Sequence, residues 1–333
     1  MIESIQFKNF KALRDTTLQL KQFTLIVGPN GSGKSTALSA VSALESAEFS
    51  RSGQLRSIGV GEGKEVALRV KCDGERSGWD FKVVWTENGC STESHGPDDS
   101  LARGYGGGFA NVFGSPRMFS LEANAIARPV QLQPFEELHL DGANLAGVLD
   151  RLRDQNPERF ELVNEELSRW IPEFNRILFE TPGPGLRAIA LRTREGSHSI
   201  KAADLSQGTL IALALLTIAY LPEPPSIVCL EEPDHGLHPR LLRDVRDAIY
   251  RLAYPEGAQE KREPVQVIAT THNPYFLDLF REHPEEIVIA EKVGLEAKFS
   301  RLSDRPDLEE ILGDAPLSEV WYSGVLGGVP VGT

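Results

Sequence analysis

Long apolar runs are absent from this chain of 333 residues. The longest stretch, Leu210 to Leu221, is about a dozen residues. That falls short of the ~20 needed to span a bilayer and suits a buried helix. Basic residues are outnumbered: 35 Lys+Arg stand against 48 Asp+Glu, a formal net charge of −13. This balance excludes a basic coat for nucleic acid, so any DNA contact must be a local patch. Cysteine is scarce. Cys72, Cys90 and Cys229 are far apart, form no CxxC pair and leave an odd count, which suits no disulfide framework. A reducing, cytoplasmic setting is the natural expectation. The opening MIESIQFKNFKALRD shows no apolar signal core. What is present is ordinary for a soluble globular protein: 41% hydrophobic and 25% charged residues. That apolar content excludes intrinsic disorder and suffices for a sizeable core.

Charge is uneven. Residues 1–71 hold 10 Lys/Arg against 6 Asp/Glu, whereas 282–319 hold 11 Asp/Glu against 4 Lys/Arg. Solvated faces account for both, and 282–333 reads as an acidic C-terminal extension. Arg240–Asp244 and Arg243–Asp247 are i,i+4 pairs, so 240–252 reads as a salt-laced helix face rather than a DNA stripe.

Periodicity places strands at 2–7 and 17–27, the second ending in the buried-strand run Phe23-Thr-Leu-Ile-Val27. A helix is expected from Lys34 to about Glu48. Strands follow at 66–70 and 79–85. Residues 86–116, rich in Asn-Gly, Gly-Pro and Gly-Tyr-Gly-Gly-Gly, read as a long mobile loop. Helices are expected at 144–152, 157–171, 209–220 and 240–252. Further strands are expected at 118–121, 177–180, 186–192, 226–230, 265–269 and 287–290. The mixture is that of an α/β chain.

Gly28-Pro29-Asn30-Gly31-Ser32-Gly33-Lys34-Ser35-Thr36 satisfies GxxxxGK[ST] between an apolar strand and a helix. Glycines let backbone N–H groups curl round a phosphate, and the helix N-terminus favours its charge. Lys34 would reach the β- and γ-phosphates of ATP, and the Ser35 hydroxyl would ligate Mg²⁺. Ile227-Val-Cys-Leu230 ends in Glu231-Glu232. A buried strand ending there would let Glu231 hold the Mg²⁺ water shell and Glu232 take the proton of an attacking water. Leu205-Ser206-Gln207-Gly208-Thr209 precedes an apolar helix, a second phosphate cradle of hydroxyl and free N–H groups. His235, His238 and His272 suggest a metal site at first, but HxxH lacks a third ligand at short spacing.

These motifs in order resemble the ABC-type ATPase superfamily: phosphate loop, signature around Gly208, acidic pair, the turn Asp234-His-Gly-Leu-His-Pro239, and His272 in Thr270-Thr-His-Asn-Pro274. The opening Phe7-Lys-Asn-Phe-Lys11 resembles recombination-repair and chromosome-maintenance heads. Glu-Glu-Pro-Asp-His-Gly-Leu-His-Pro, and the ending Trp321-Tyr-Ser-Gly…Leu326-Gly-Gly, resemble AAA/RecF-like ATPases of bacteria, including the ATPase part of overcoming-lysogenization-defect proteins. The resemblance implies an ABC-type head: a P-loop mixed core sheet, an antiparallel β subdomain and a helical signature lobe inserted over about 135–215. It implies one ATPase domain over 1–333. It also implies an ATP-dependent homodimer in which Ser206, Gln207 and Gly208 of one copy close on nucleotide held by the other. His272 would sense the γ-phosphate, and Asp234 would communicate across the dimer.

Asn9 and Lys11 are the adenine and ribose candidates; Gln131 and Gln133 are candidates for a glutamine loop. The implied output is control of a separate effector, a nuclease or a toxin, or action on DNA, in phage defence or DNA repair. A transporter's energising subunit and a nucleotide-binding scaffold with little turnover are the alternatives. The signature LSQGT, followed by an apolar helix, is unlike the usual transporter LSGGQ. No membrane association is expected. Long heptad arms and a fused nuclease domain after residue 290 are not expected either.

Overall fold

The computed structural model describes residues 1–45, 52–61, 63–97, 108–134, 137–313 and 315–327. Its strands are β1 (Ile2–Phe10), β2 (Leu13–Gln19), β3 (Phe23–Val27), β4 (Val66–Cys72), β5 (Asp80–Thr86), β6 (Gly89–His95), β7 (Arg117–Phe119) and β8 (Val130–Gln131). They continue with β9 (Phe174–Glu180), β10 (Leu186–Thr193), β11 (Ser199–Lys201), β12 (Ile227–Leu230), β13 (Gln266–Thr271), β14 (Ile287–Val293) and β15 (Glu296–Arg301).

The chain divides into two compact units. The first comprises Met1–Met118, Pro225–Glu231 and Ala253–Thr333; the second comprises Phe119–Pro224 and Glu232–Leu252. The second is wider than the lobe expected at 135–215.

The first unit holds two sheets. One is antiparallel, in the order β2-β1-β4-β5-β6; the other runs β15-β14-β3-β13-β12-β7. Within the latter, β14, β3, β13 and β12 are mutually parallel neighbours. Every residue of β3, β12 and β13 is buried, as expected of parallel strands covered on both faces. The helix Lys34–Glu45 follows β3. Its Ala37, Leu38, Ala40, Val41 and Leu44 enter one core with Phe7 and Phe10 of β1, Leu68 of β4 and Ile268 of β13. Residues 46–48, the expected end of this helix, lie outside the described residues.

Three expectations are corrected here. The strand expected over 17–27 is two strands: β2 pairs antiparallel with β1, and β3 pairs with β13 in the other sheet. Leu20, in the turn between them, is only 3% exposed, so apolar character runs on through the break. The stretch expected as a loop over 86–116 contains β6 and the helix Gly108–Phe113. β6 pairs with β5 from Asp80↔His95 to Thr86↔Gly89, turning at Glu87-Asn88. Its polar sequence hid it. Phe109 and Phe113 are buried against Phe81, with ring centroids 5.5 and 6.1 Å away. Residues 98–107 lie outside the described residues. The helix expected over 240–252 opens with a 3₁₀ turn at Pro239–Leu241 and is α-helical over Leu242–Ala253.

The expected acidic extension is not separate from the first unit's sheet. β14 pairs with β3 and β15 pairs with β14. Short helices Leu308–Leu312 and Leu317–Tyr322 follow.

The second unit contains the helices Leu145–Gln155, Pro157–Trp170 and Gln207–Ala219. Its β10 pairs antiparallel with β8, β9 and β11. The residues Thr209 to Ala219 are all buried, which explains the apolar run seen in the sequence. Among the described residues no helix is long and apolar enough to cross a membrane.

Candidate functional site

Three parallel strands of the first unit bring separate motifs to one sheet edge. β13 lies between β3 and β12, with Thr271 opposite Val27 and Leu230 opposite Ala269. All three strands end there. The phosphate loop leaves β3, His272 follows β13 directly, and Glu231 follows β12 directly. Neighbouring strands lie ~4.8 Å apart, so the backbones leading to the loop and to Glu231 are separated by roughly 10 Å. This is the carboxyl edge where ligands of parallel α/β sheets bind.

Local chemistry shapes the phosphate loop. Gly31 and Gly33 have φ of +78° and +97°, a region that L side chains rarely adopt. A Cβ on Gly33 would also lie 2.9 Å from Ala297 Cβ. A Cβ on Gly28 would collide with the Ala290 carbonyl oxygen on neighbouring β14. Lys34 is buried, and its ammonium donates to the carbonyl oxygens of Gly28 at 2.8 Å and Pro29 at 3.1 Å. It is thereby held over the loop from which it springs. Ser32 is fully buried, and its Oγ has no hydrogen-bond partner. An orphaned hydroxyl inside a loop of left-handed glycines fits an anion acceptor. Asn30, Gly31 and Ser35 are exposed, and Thr36 is half-buried. The first amides of the Lys34–Glu45 helix have no intrahelical acceptor. These residues therefore fit a polyphosphate. Ser35 and half-buried Glu231 are an all-oxygen pair suited to Mg²⁺.

His272 is exposed on a pinned turn. Thr271 Oγ1 accepts from Asn273 N at 3.0 Å, and Asn273 Oδ1 accepts from Tyr275 N at 3.0 Å. Asn273 thereby caps the helix Pro274–Asp278. Asn followed by Pro is a helix-start signal legible in the sequence.

Asn9 and Lys11, the base-contact candidates, are both left-handed, with φ of 55° and 48°. Asn9 Nδ2 donates to Glu65 O at 2.9 Å, and Lys11 Nζ lies 3.4 Å from Ser39 Oγ on the helix after the phosphate loop.

The second unit holds the other motifs. Ser206 is exposed and caps the helix Gln207–Ala219, its Oγ accepting from Thr209 N at 3.1 Å. Gln207 is exposed too, and Gly208 is half-buried. Asp234 is 5% exposed. Its carbonyl accepts from Leu237 N at 3.3 Å, while Glu232 O accepts from His235 N at 2.9 Å. Glu232 itself has φ +44°. A left-handed, non-glycine acid is an uncommon and costly conformation of the kind that concentrates at functional sites. Sequence reasoning missed this; nothing in the residue type signals it. His235 and His238 are exposed, and His238 Nδ1 accepts from Arg240 N at 3.2 Å. Among the described residues no group of three or more His, Cys, Asp or Glu could hold a metal ion. Gln131 lies in β8 opposite Leu186, and Gln133 is exposed in the same unit.

The family described as "AAA domain, putative AbiEii toxin, Type IV TA system" matches residues 108–278, just over half of the chain. The chain belongs to this AAA domain family. A second description, "AAA ATPase domain", matches residues 1–84, which hold the phosphate loop of this AAA protein. Among curated proteins the AAA chain is similar to the OLD nuclease of Thermus scotoductus, at 24% identity. That match covers 84% of the chain and 60% of the relative, so the chain spans about three fifths of the relative's length. Among solved structures it resembles an SMC head crystallised with the C-winged helix domain of ScpA. The identity is 16% and the TM-score 0.60, over 90% of this chain and 96% of that one. The fold is that of this SMC head, a mixed α/β architecture with several sheets.

Proposed function

We propose that this AAA protein binds ATP with Mg²⁺ and hydrolyses it, and that two copies pair while ATP is bound. The observation that carries the reading is the common sheet edge: phosphate loop, His272 and Glu231 leave three neighbouring parallel strands together. Backbone N–H groups of 31–36 and the Lys34 ammonium would hold the β- and γ-phosphates. To do so, Lys34 exchanges its bonds to Gly28 and Pro29 for phosphate oxygens. Mg²⁺, when bound, neutralises charge on the transferring phosphoryl group. Ser35 would hold it directly and Glu231 through water. Glu232 would accept the proton of the attacking water. His272 would donate to the γ-phosphate and report its presence. In the pair, Ser206, Gln207 and Gly208 of one copy would close over the nucleotide of the other, and Asp234 would link the two sites. The exposure of Ser206 and Gln207 at a helix N-terminus supports this role.

The output proposed for the cycle is control of a separate effector, a nuclease or a toxin, or action on DNA, in phage defence or DNA repair. The family description and the nuclease relative support it. The setting proposed is the cytoplasm. The test is phosphate release by the purified chain with ATP and Mg²⁺. Wild type should turn over, and Glu232→Gln and Lys34→Ala should not. Equal rates in Glu232→Gln and wild type would overturn the assignment of the base.

A further inference from the structure

The helix that follows His272 is tied to a distant part of the chain. Both carboxylate oxygens of Asp278 are engaged. Oδ1 accepts from Ser318 N at 2.7 Å and Oδ2 from Ser318 Oγ at 2.5 Å. Three residues on, Arg281 Nη2 donates to Gly313 O at 2.6 Å. Ser318 lies on the helix Leu317–Tyr322, whose Leu317, Val320 and Trp321 are buried. From the other side, Phe276 and Phe280 are fully buried, with ring centroids 5.2 Å apart. Phe280 stands 5.2 Å from Phe23 at the start of β3.

A continuous series of short bonds therefore runs from the strand to the clasp. Thr271 Oγ1 holds Asn273 N, Asn273 O accepts from Leu277 N at 3.1 Å, and Asp278 holds Ser318. His272 sits inside this series without being a member of the clasp. A two-point carboxylate grip on a backbone N–H and a hydroxyl is geometrically specific and stronger than a neutral bond. It fixes where the short helix ends, and so fixes the turn at its start.

We infer that Asp278, gripped by Ser318, is a positioning residue for His272, so that the helix Leu317–Tyr322 sets the rate of phosphate release without touching nucleotide. The inference rests on the reading of His272 as the γ-phosphate sensor. It goes beyond that reading in assigning the sensor's placement to a segment 40 residues beyond Asp278 along the chain.

The test is steady-state ATP hydrolysis by wild type, Asp278→Ala, Asp278→Asn, Ser318→Ala, His272→Ala and the double variant His272→Ala/Asp278→Ala. Asp278→Ala should lower kcat about ten-fold with KM for ATP unchanged, since small misplacements of a reacting geometry cost that much or more. Asp278→Asn keeps an acceptor for Ser318 N and a donor for Ser318 Oγ, and should recover most of the rate. Ser318→Ala, which leaves the helix intact, should fall between. In the His272→Ala background, Asp278→Ala should cost nothing further. An equal loss in both backgrounds, or an unchanged kcat in Asp278→Ala and Ser318→Ala, would overturn the inference. Amide hydrogen exchange over 272–278 needs no turnover. It should quicken in Asp278→Ala and Ser318→Ala. Unchanged exchange would overturn the clasp, whereas a wild type without hydrolysis would overturn the ATPase reading.

Discussion

A methyl group placed on Gly208 would stand 2.8 Å from the carbonyl oxygen of Gly236 and 3.7 Å from Leu237 Cα. The first turn of the signature helix thus rests directly on the backbone turn that follows Glu232 and Asp234. Gly236, with φ +72°, makes that turn possible. Two motifs read as separate phosphate and communication elements are one packed unit. Gly208→Ala must push the 234–237 turn away, because the obstacle is backbone. Overpacking of this kind costs about 1–3 kcal/mol. The variant should melt at lower temperature and lose ATP-driven pairing while its phosphate loop still binds ATP. A thermal melt and a nucleotide titration check both halves.

Lys34→Ala removes an ammonium whose bonds in the structure go to Gly28 and Pro29 carbonyls. Hydrogen bonds to charged groups contribute about 1.5–3 kcal/mol, so ATP should bind roughly ten- to hundredfold more weakly. A fluorescent-nucleotide titration at fixed Mg²⁺ measures this. Unchanged affinity would remove Lys34 from the site.

Phe109 is 2% exposed, with its ring 4.9 Å from Phe113 and 5.5 Å from Phe81. Truncating such a ring to Ala costs about 3–5 kcal/mol. Urea unfolding of Phe109→Ala should show a loss of that size. A residue in a solvated loop would show about 0.5 kcal/mol or less.

The thiols give a pH prediction with a definite sign. Burial pushes Cys72 up to about 12 and Cys229 up to about 12. The unfolded thiol titrates near ~8.5. Between those values the unfolded chain sheds protons that the folded chain keeps. The stabilisation is fully present below pH ~8.5 and is lost as pH rises towards 12. Denaturant midpoints should fall over that window. At pH 8 a thiol-specific disulfide reagent should label half-buried Cys90 in the folded chain and all three cysteines in denaturant.

The local parts of this fold were legible in the sequence, and the joins were not. The Gly31 and Gly33 pattern announces a left-handed loop because only glycine is comfortable there. The run Phe23–Val27 announces a strand covered on both faces. By contrast, β6 carries Ser91, Thr92, Glu93 and Ser94, and its identity as a strand comes from pairing with β5, which no local propensity encodes. The left-handed Glu232 and the Asp278–Ser318 grip are likewise tertiary facts. Their residue types are ordinary and their partners are distant.

The most direct measurement is the solution mass of Glu232→Gln by light scattering, with and without ATP and Mg²⁺. Glutamine keeps the size of the side chain while removing the proton acceptor, so ATP should be held unhydrolysed. The account predicts one copy without nucleotide and two copies with ATP, with release of the pair when Lys34→Ala is added. A mass that ATP does not change would contradict it.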